Sequence, residues 1–304
     1  MPISAQSAIN GEHNPAALFI FIQLNKVAQA HLQEQITAFY AKRHVLARIA
    51  PEAQITTTLA FAKELWEQLH PNGPANFRKM PVIEGAYPHP LLPANLFVHI
   101  TSERIDLCYE LAAALMQDWE GASVLDERQG FRFHDRRDLI GFIDGIENPV
   151  DEADRIAATL LDESAGDCAG GSFLLAQRFV HDLTKWQELT VDAQEKVIGR
   201  TKWDGAELPD AIKPPTAHNV RSNIDIDIMR HNLPYASVGG EKGTIFLGYT
   251  KDLGVLDRML ERMYGLSEDG LTDRLLDFTT AVGGNYFFAP PQNLMESLFD
   301  LEDV

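Results

Sequence analysis

The sequence predicts an α+β protein made of two units of comparable size, and three observations carry that expectation. The chain has 304 residues, more than a single core of ordinary size organises. Short runs rich in β-branched and aromatic residues alternate with stretches of helical period. The same order of elements starts again near residue 170, although no residue-level repeat accompanies it.

The first run, Ala17 to Leu24 (ALFIFIQL), is apolar enough for a central strand, and a helical pattern follows through Ala28 to Tyr40. Gln54 to Ala62 is rich in Thr and reads as extended, and Lys63 to Leu69 as a short helix ending before Pro71. Asn95 to Thr101 is the next strand. Ser102 is placed to cap a helix over Glu103 to Gln117. Ala122 to His134 is extended, with an interruption at Gly130.

In the second half the strand GGSFLLAQRFVHDL begins at Gly170, and helical turns run from Thr184 to Gly199. Asn223 to Arg230 alternates like a strand. Lys242 to Thr250 is a further strand, Leu253 to Tyr264 an amphipathic helix, and Asn285 to Phe288 a terminal strand. Connecting segments lie at Arg136 to Leu139 and in the proline-rich stretch from Glu207 to Ala217, which delivers the chain to His218. Both halves therefore suit the split βαβ, ferredoxin-like kind of α+β unit, each an antiparallel sheet with packed helices. The expected division is 1–140 and 141–304.

Composition narrows the function. Forty-four acidic residues against 26 Lys plus Arg give a formal net charge of -18, which repels phosphate backbones and anionic lipid, so neither nucleic acid nor a membrane is an expected partner. No segment reaches the length of apolar residues a membrane helix needs, and the N-terminus lacks a basic region followed by a long apolar core. The two cysteines, Cys108 and Cys168, have neither metal-ligand nor redox spacing. A reducing, cytoplasmic compartment is expected.

One short stretch raises a chemical question. In DLIGFIDGIENPV, residues 138–150, Asp144 stands beside Gly145 among Leu, Ile and Phe. A carboxylate in such company loses hydration and must be compensated, neutralised or used. Gly141, Gly145 and Pro149 recur every four residues and argue for a tight, shaped backbone rather than a helix. Taken alone, the stretch also suits a turn whose Asp bonds its own backbone. Further on, Arg230 and Asn232 have equal parity at the end of an alternating run, so they share a face while His231 points away.

With these residues together, the chain resembles the dye-decolorizing peroxidases. GFIDG at 141–145, continued as IENP, looks like that family's GxxDG signature, and a His, an Arg and an Asn follow in the family's order. The phrases QRFVHDL, VIGRTK and RHNLPYASVGG resemble the bacterial class formerly called B. The likeness covers roughly residue 130 to the C-terminus, and the N-terminal half agrees mainly in pattern.

The resemblance implies a non-covalent haem b in the C-terminal unit, with His218 as proximal iron ligand. The absence of CxxCH agrees with non-covalent attachment. A carboxylate behind the imidazole would raise its donor strength, with Asp273 and Asp277 as the two candidates. On the distal side the resemblance implies that Asp144 moves the peroxide proton, that Arg230 stabilises charge on the departing oxygen, and that Asn232 orients peroxide or a water. Burial and the nearby cation push the Asp144 pKa in opposite directions, and the sequence does not decide between them. Arg200 suits a haem propionate, with a solvated helix end as its plain alternative.

The implied activity is reduction of hydrogen peroxide with one-electron oxidation of dyes and phenolic compounds. Trp186, Trp203, Tyr235 and Tyr249 are either core aromatics or relays for electrons from bulky donors. A haem-handling protein, for storage, delivery or iron release, is the alternative function. His231, Asp225 and Asp227 do not assemble a non-haem metal site by their spacing. Exposed sheet faces and edges suit a homodimer or larger homo-oligomer.

Overall fold

The computed structural model describes residues 4–11, 14–84, 86–224 and 226–301. Its strands are β1 (Ala16–Leu24), β2 (Thr56–Phe61), β3 (Leu96–Ser102), β4 (Ala122–Phe131), β5 (Ser172–His181), β6 (Met229–Arg230), β7 (Leu233–Ala236), β8 (Lys242–Thr250) and β9 (Thr279–Ala289). The α-helices are α1 (Lys26–Ala30), α2 (Leu32–Ile49), α3 (Lys63–Leu69), α4 (Ile105–Met116), α5 (Glu152–Thr159), α6 (Leu183–Gln187), α7 (Val191–Ile198), α8 (His218–Ser222), α9 (Leu253–Met263) and α10 (Gln292–Phe299).

All strand pairings are antiparallel, in the order β4-β1-β3-β2-β9-β5-β8-β6, with β7 also on β8. The first four strands and the last five each follow the ferredoxin-like order, the second with its second strand split into β6 and β7. The halves meet edge to edge at Phe61 and Phe288. The sheet then curls until Gly130 of β4 lies against Leu233 of β7. Arg178 of β5 pairs with Asp126 of β4 at 2.6 Å across this closure.

The unbroken apolar run in β1 has a physical reason: both of its faces are buried. Leu18, Ile20 and Ile22 join the core beneath the helices, whereas Ala17, Phe19 and Phe21 enter an interior shared by both halves. Phe287 of β9 supplies the far side of that interior, 5.4 Å from the Phe97 ring centroid. Polar caps start the helices that cover the outside. The Asn25 side chain accepts from the Val27 and Ala28 N–H groups, and the Thr190 side chain accepts from Ala193 N–H.

Three local expectations need correction. Ser102 belongs to β3 and is not the N-cap residue: its hydroxyl donates to Ala53 O at 2.6 Å and accepts from Arg104 N–H at 3.1 Å, and the helix starts after Arg104. The helical turns expected from Thr184 to Gly199 are present, as two helices, α6 and α7, with Thr190 capping the second. The strand expected over Asn223 to Arg230 shrinks to Met229–Arg230. Met229 pairs with Tyr249, one residue before β8 ends, so earlier residues have no strand to pair with. Asp225, part of that expected strand, lies outside the described residues. β9 starts six residues earlier than expected, because Gly283 and Gly284 hide its beginning from a propensity reading.

Candidate active site

A cavity lies between the outer face of β5 and β8, the start of α8, the end of α9 and the segment 138–147. Its walls are largely apolar, with Phe142, Ile146, Phe179, Phe246, Met259 and Leu276 among them. His218, Asp273, Asp144, Arg230, Asn232 and Arg200 all line it, whereas Asp277 and the four aromatic relay candidates do not.

His218 is the first residue of α8, delivered by the irregular stretch after Glu207. Its Nδ1 is 2.6 Å from Asp273 Oδ2. Asp273 is wholly buried, and its other oxygen accepts from Leu275 N–H at 2.8 Å. Burial pulls the imidazole pKa down, but the charge and hydrogen bond of Asp273 outweigh it, so it stands above the ordinary value. With Nδ1–H given to the carboxylate, the neutral ring leaves Nε2 as the atom able to ligate. Asp277, the competing acid, is engaged elsewhere: it accepts from Tyr87 Oη at 2.5 Å and from Arg274.

The segment carrying Asp144 is held by its own backbone. Gly141 N–H donates to Asp138 O, Asp138 N–H to Phe142 O and Asp144 N–H to Arg136 O. Gly141 and Gly145 have φ of 93° and 77°, left-handed conformations that disfavour a side chain. Here lies the reason for glycine on either side of the acid. Asn148 ties the segment to β6 reciprocally, its amide donating to Arg230 O at 2.8 Å and accepting from Arg230 N–H at 2.9 Å.

Asn232 Nδ2 donates to both Asp144 oxygens, at 3.2 and 3.0 Å, while its own carbonyl accepts from Leu247 N–H at 3.2 Å. Gly145 N–H donates to Asp144 Oδ1 at 2.7 Å. Oδ2 is thus the less encumbered oxygen. Burial pushes the Asp144 carboxyl up, the charge of Asp138 adds to this, and Asn232, Gly145 N–H and Arg230 do not fully offset them. The balance left open by the sequence therefore falls on the raised side.

Arg230 and Asn232 both line the cavity, whereas His231 points into the shared interior and its Nε2 bonds Ile9 O at 2.8 Å. This is the parity expected of an extended run. Arg200 lines the cavity already engaged, in an ion pair with Glu147 and donating to Gly205 O at 2.8 Å. Of the four aromatic relay candidates, Trp186, Tyr235 and Tyr249 are buried, and Trp203 is 86% exposed.

Sequence reasoning passed over Asp138 and His181. His181 Nε2 is 3.2 Å from Asp138 Oδ1, and Thr244 Oγ1 also donates to Asp138. Burial raises the Asp138 pKa, but the charge of His181 and hydrogen bonds from His181, Thr244 and Ile140 N–H bring it down to about 2. Strand parity was the available signal, because Gln177, Phe179 and His181 share one face of β5.

Comparison with known proteins covers nearly the whole chain. Family models described as "Dyp-type peroxidase, N-terminal" and "Dyp-type peroxidase, C-terminal" match residues 6–132 and 135–294. A Mycobacterium tuberculosis protein named dye-decolorizing peroxidase is 34% identical over 307 residues, spanning 97% of this chain and 91% of that one. Among solved structures, a dye-decolorizing protein from V. cholerae superposes with a TM-score of 0.90 at 38% identity, covering 97% of this chain and 99% of the other. A variant of Rhodococcus jostii RHA1 DypB in complex with heme gives 0.89 at 34% identity, with 96% and 98% covered.

Proposed function

Because this chain belongs to the Dyp-type peroxidase family and is a haem-dependent peroxidase, we propose that Asp144, Arg230 and Asn232 carry its peroxide chemistry and that His218 holds the iron. The haem-handling alternative loses ground, since the matched relatives are named as peroxidases.

The cavity suits haem by its own chemistry. Its walls are mostly apolar, and it offers one imidazole whose Nδ1 is occupied by a buried carboxylate. Haem, when bound, supplies the reduction of peroxide and the one-electron oxidation of dyes and phenols. Asp273 keeps the His218 proton on Nδ1 and leaves Nε2 for iron. Arg200 would exchange Glu147 for a propionate, a carboxylate of the same geometry.

Asp144 Oδ2 takes the proton from one peroxide oxygen and returns it to the other as the O–O bond breaks, a transfer that contributes roughly 10² to 10⁴-fold when well positioned. Its raised pKa suits both halves of this task, since a stronger base is also ready to hold the proton briefly. Arg230 stabilises negative charge on the departing oxygen. Asn232, locked by Leu247 N–H, holds the carboxylate in one orientation. The observation that carries this reading is a partly buried carboxylate of raised pKa sharing one apolar cavity with a carboxylate-backed imidazole.

Stopped-flow mixing of haem-loaded Asp144→Asn with peroxide tests it: the change in the iron spectrum should slow strongly, and a wild-type rate would defeat the assignment. The same proposal places the protein in the cytoplasm as a homodimer or larger assembly. Two buried free thiols, Cys108 and Cys168, and apolar surface at Val124 and Phe131 of β4 support it. Sedimentation of the purified protein as a monomer would count against the assembly.

A further inference from the structure

The geometry points to a second binding site, for a small oxyanion, on the other side of the wall that contains Asp144. Asp144, Gly145, Arg230 and Asn232 line the haem cavity and also a second, separate cavity. That second cavity is lined in addition by Arg132, Arg136, Arg137 and Arg155, with Asn14 and Asn148 between them. Five guanidinium groups therefore surround a space whose wall holds a single acid, in a chain of net charge -18.

The charges are not equally available. Arg137 is bound by Asp135 at 2.7 Å and donates to Gly141 O and Trp203 O, which makes it a structural clamp. Arg155 is steered by Val150 O at 3.1 Å. Arg136 differs from both: among the described residues no hydrogen bond or ion pair engages its guanidinium, and it also lines the shallower opening outside. Its backbone is held at φ 72°, a left-handed conformation rare for a side chain of this size, and its carbonyl accepts the Asp144 N–H at 2.9 Å. The fold thus spends backbone strain to keep this arginine at the mouth of the cavity.

Asp144 alone does not balance the field, because a single carboxylate faces five guanidinium groups across this cavity. A planar fork of donors matches an oxyanion in two parallel bonds. The site accordingly takes a small phosphate-like or carboxylate anion. Resting on the proposed role of Asp144, an anion held here obstructs peroxide at that carboxylate and slows turnover through the peroxide step.

Haem-loaded protein titrated with inorganic phosphate at constant ionic strength, followed by calorimetry, tests the site. Saturable binding is expected, weakened about tenfold in Arg136→Gln and only partly restored in Arg136→Lys, which keeps the charge and loses the fork, with circular dichroism confirming the fold of each. No saturable binding, or binding equally tight in Arg136→Gln, overturns the proposal. Stopped-flow rates with peroxide, taken on the same samples, judge the Asp144 role separately: a rate that falls as phosphate saturates supports the coupling, and an unchanged rate beside Arg136-dependent binding defeats the coupling while leaving the site in place.

Discussion

Replacing Asp273 by Asn should cost this protein roughly 10 to 100-fold in haem affinity, the usual consequence of removing the group behind a metal-ligating imidazole. The structure shows where the loss arises. Asp273 is wholly buried and accepts one hydrogen bond on each oxygen, from His218 Nδ1 at 2.6 Å and Leu275 N–H at 2.8 Å. An amide has only one acceptor, so one of these donors must face an NH₂ group. If Leu275 keeps its partner, the His218 proton is driven from Nδ1 to Nε2, the atom proposed to hold the iron. Losing one charge-assisted hydrogen bond costs about 1.5–3 kcal/mol, which agrees with the affinity range, since each tenfold is about 1.4 kcal/mol. Absorption titration of apoprotein with haem measures it, and resonance Raman of the iron–imidazole stretch reports the change in donor strength. Unchanged affinity together with an unchanged iron–imidazole signature would refute the reasoning. Stability of the apoprotein supplies a second readout. The His218 pKa is raised in the folded state, so the pair's contribution is fully present below the ordinary histidine pKa and fades as pH rises through the folded value. Asp273→Asn should remove that pH dependence from the unfolding temperature.

Other outcomes follow from the same geometry. Asp144→Asn should slow the reaction with peroxide by about 10² to 10⁴-fold while haem stays bound, as stopped-flow absorption would show. Because the Asp144 pKa is raised by burial and by Asp138, the wild-type rate should fall in acid at a higher pH than an ordinary aspartate would give. Asp138→Asn should move that limb down and Arg230→Leu should move it up, and a limb that stays in place in both variants would show that Asp144 is not the titrating group. Arg221 is buried, donates to Arg262 O at 2.9 Å and grips Asp269 through two nitrogens, anchoring α8 to the loop after α9. Arg221→Ala should lose about 2 kcal/mol or more by denaturant unfolding. Asp269 is held well below the carboxylate range by Arg221, so its contribution is present above the ordinary Asp pKa and is lost as pH falls through the folded one. That acid sensitivity should disappear in Arg221→Ala.

The features that could be read from the chain are those encoded by neighbouring residues. Period-two parity put Arg230 and Asn232 on one face and His231 on the other, because a strand has no other way to direct successive side chains. The glycines around Asp144 announced a tight, shaped backbone, and Gly141 and Gly145 both take left-handed conformations there. Alternation of strand and helix gave the two α+β halves, since each element's period is local chemistry. Tertiary contact decided the rest. Asp273 and Asp277 are alike in sequence, and only the packing of the segment after α9 against α8 brings one of them to His218. The rise in the Asp144 pKa depends on burial and on Asp138, quantities that no short stretch contains. The meeting of Gly130 with Leu233, and the arginine-lined cavity beyond Asp144, exist because a curled sheet closes segments about a hundred residues apart. Local preferences are set by bonded and near neighbours within a few residues, whereas electric field, burial and cavity shape are sums over the whole fold, and those sums give this site its chemistry.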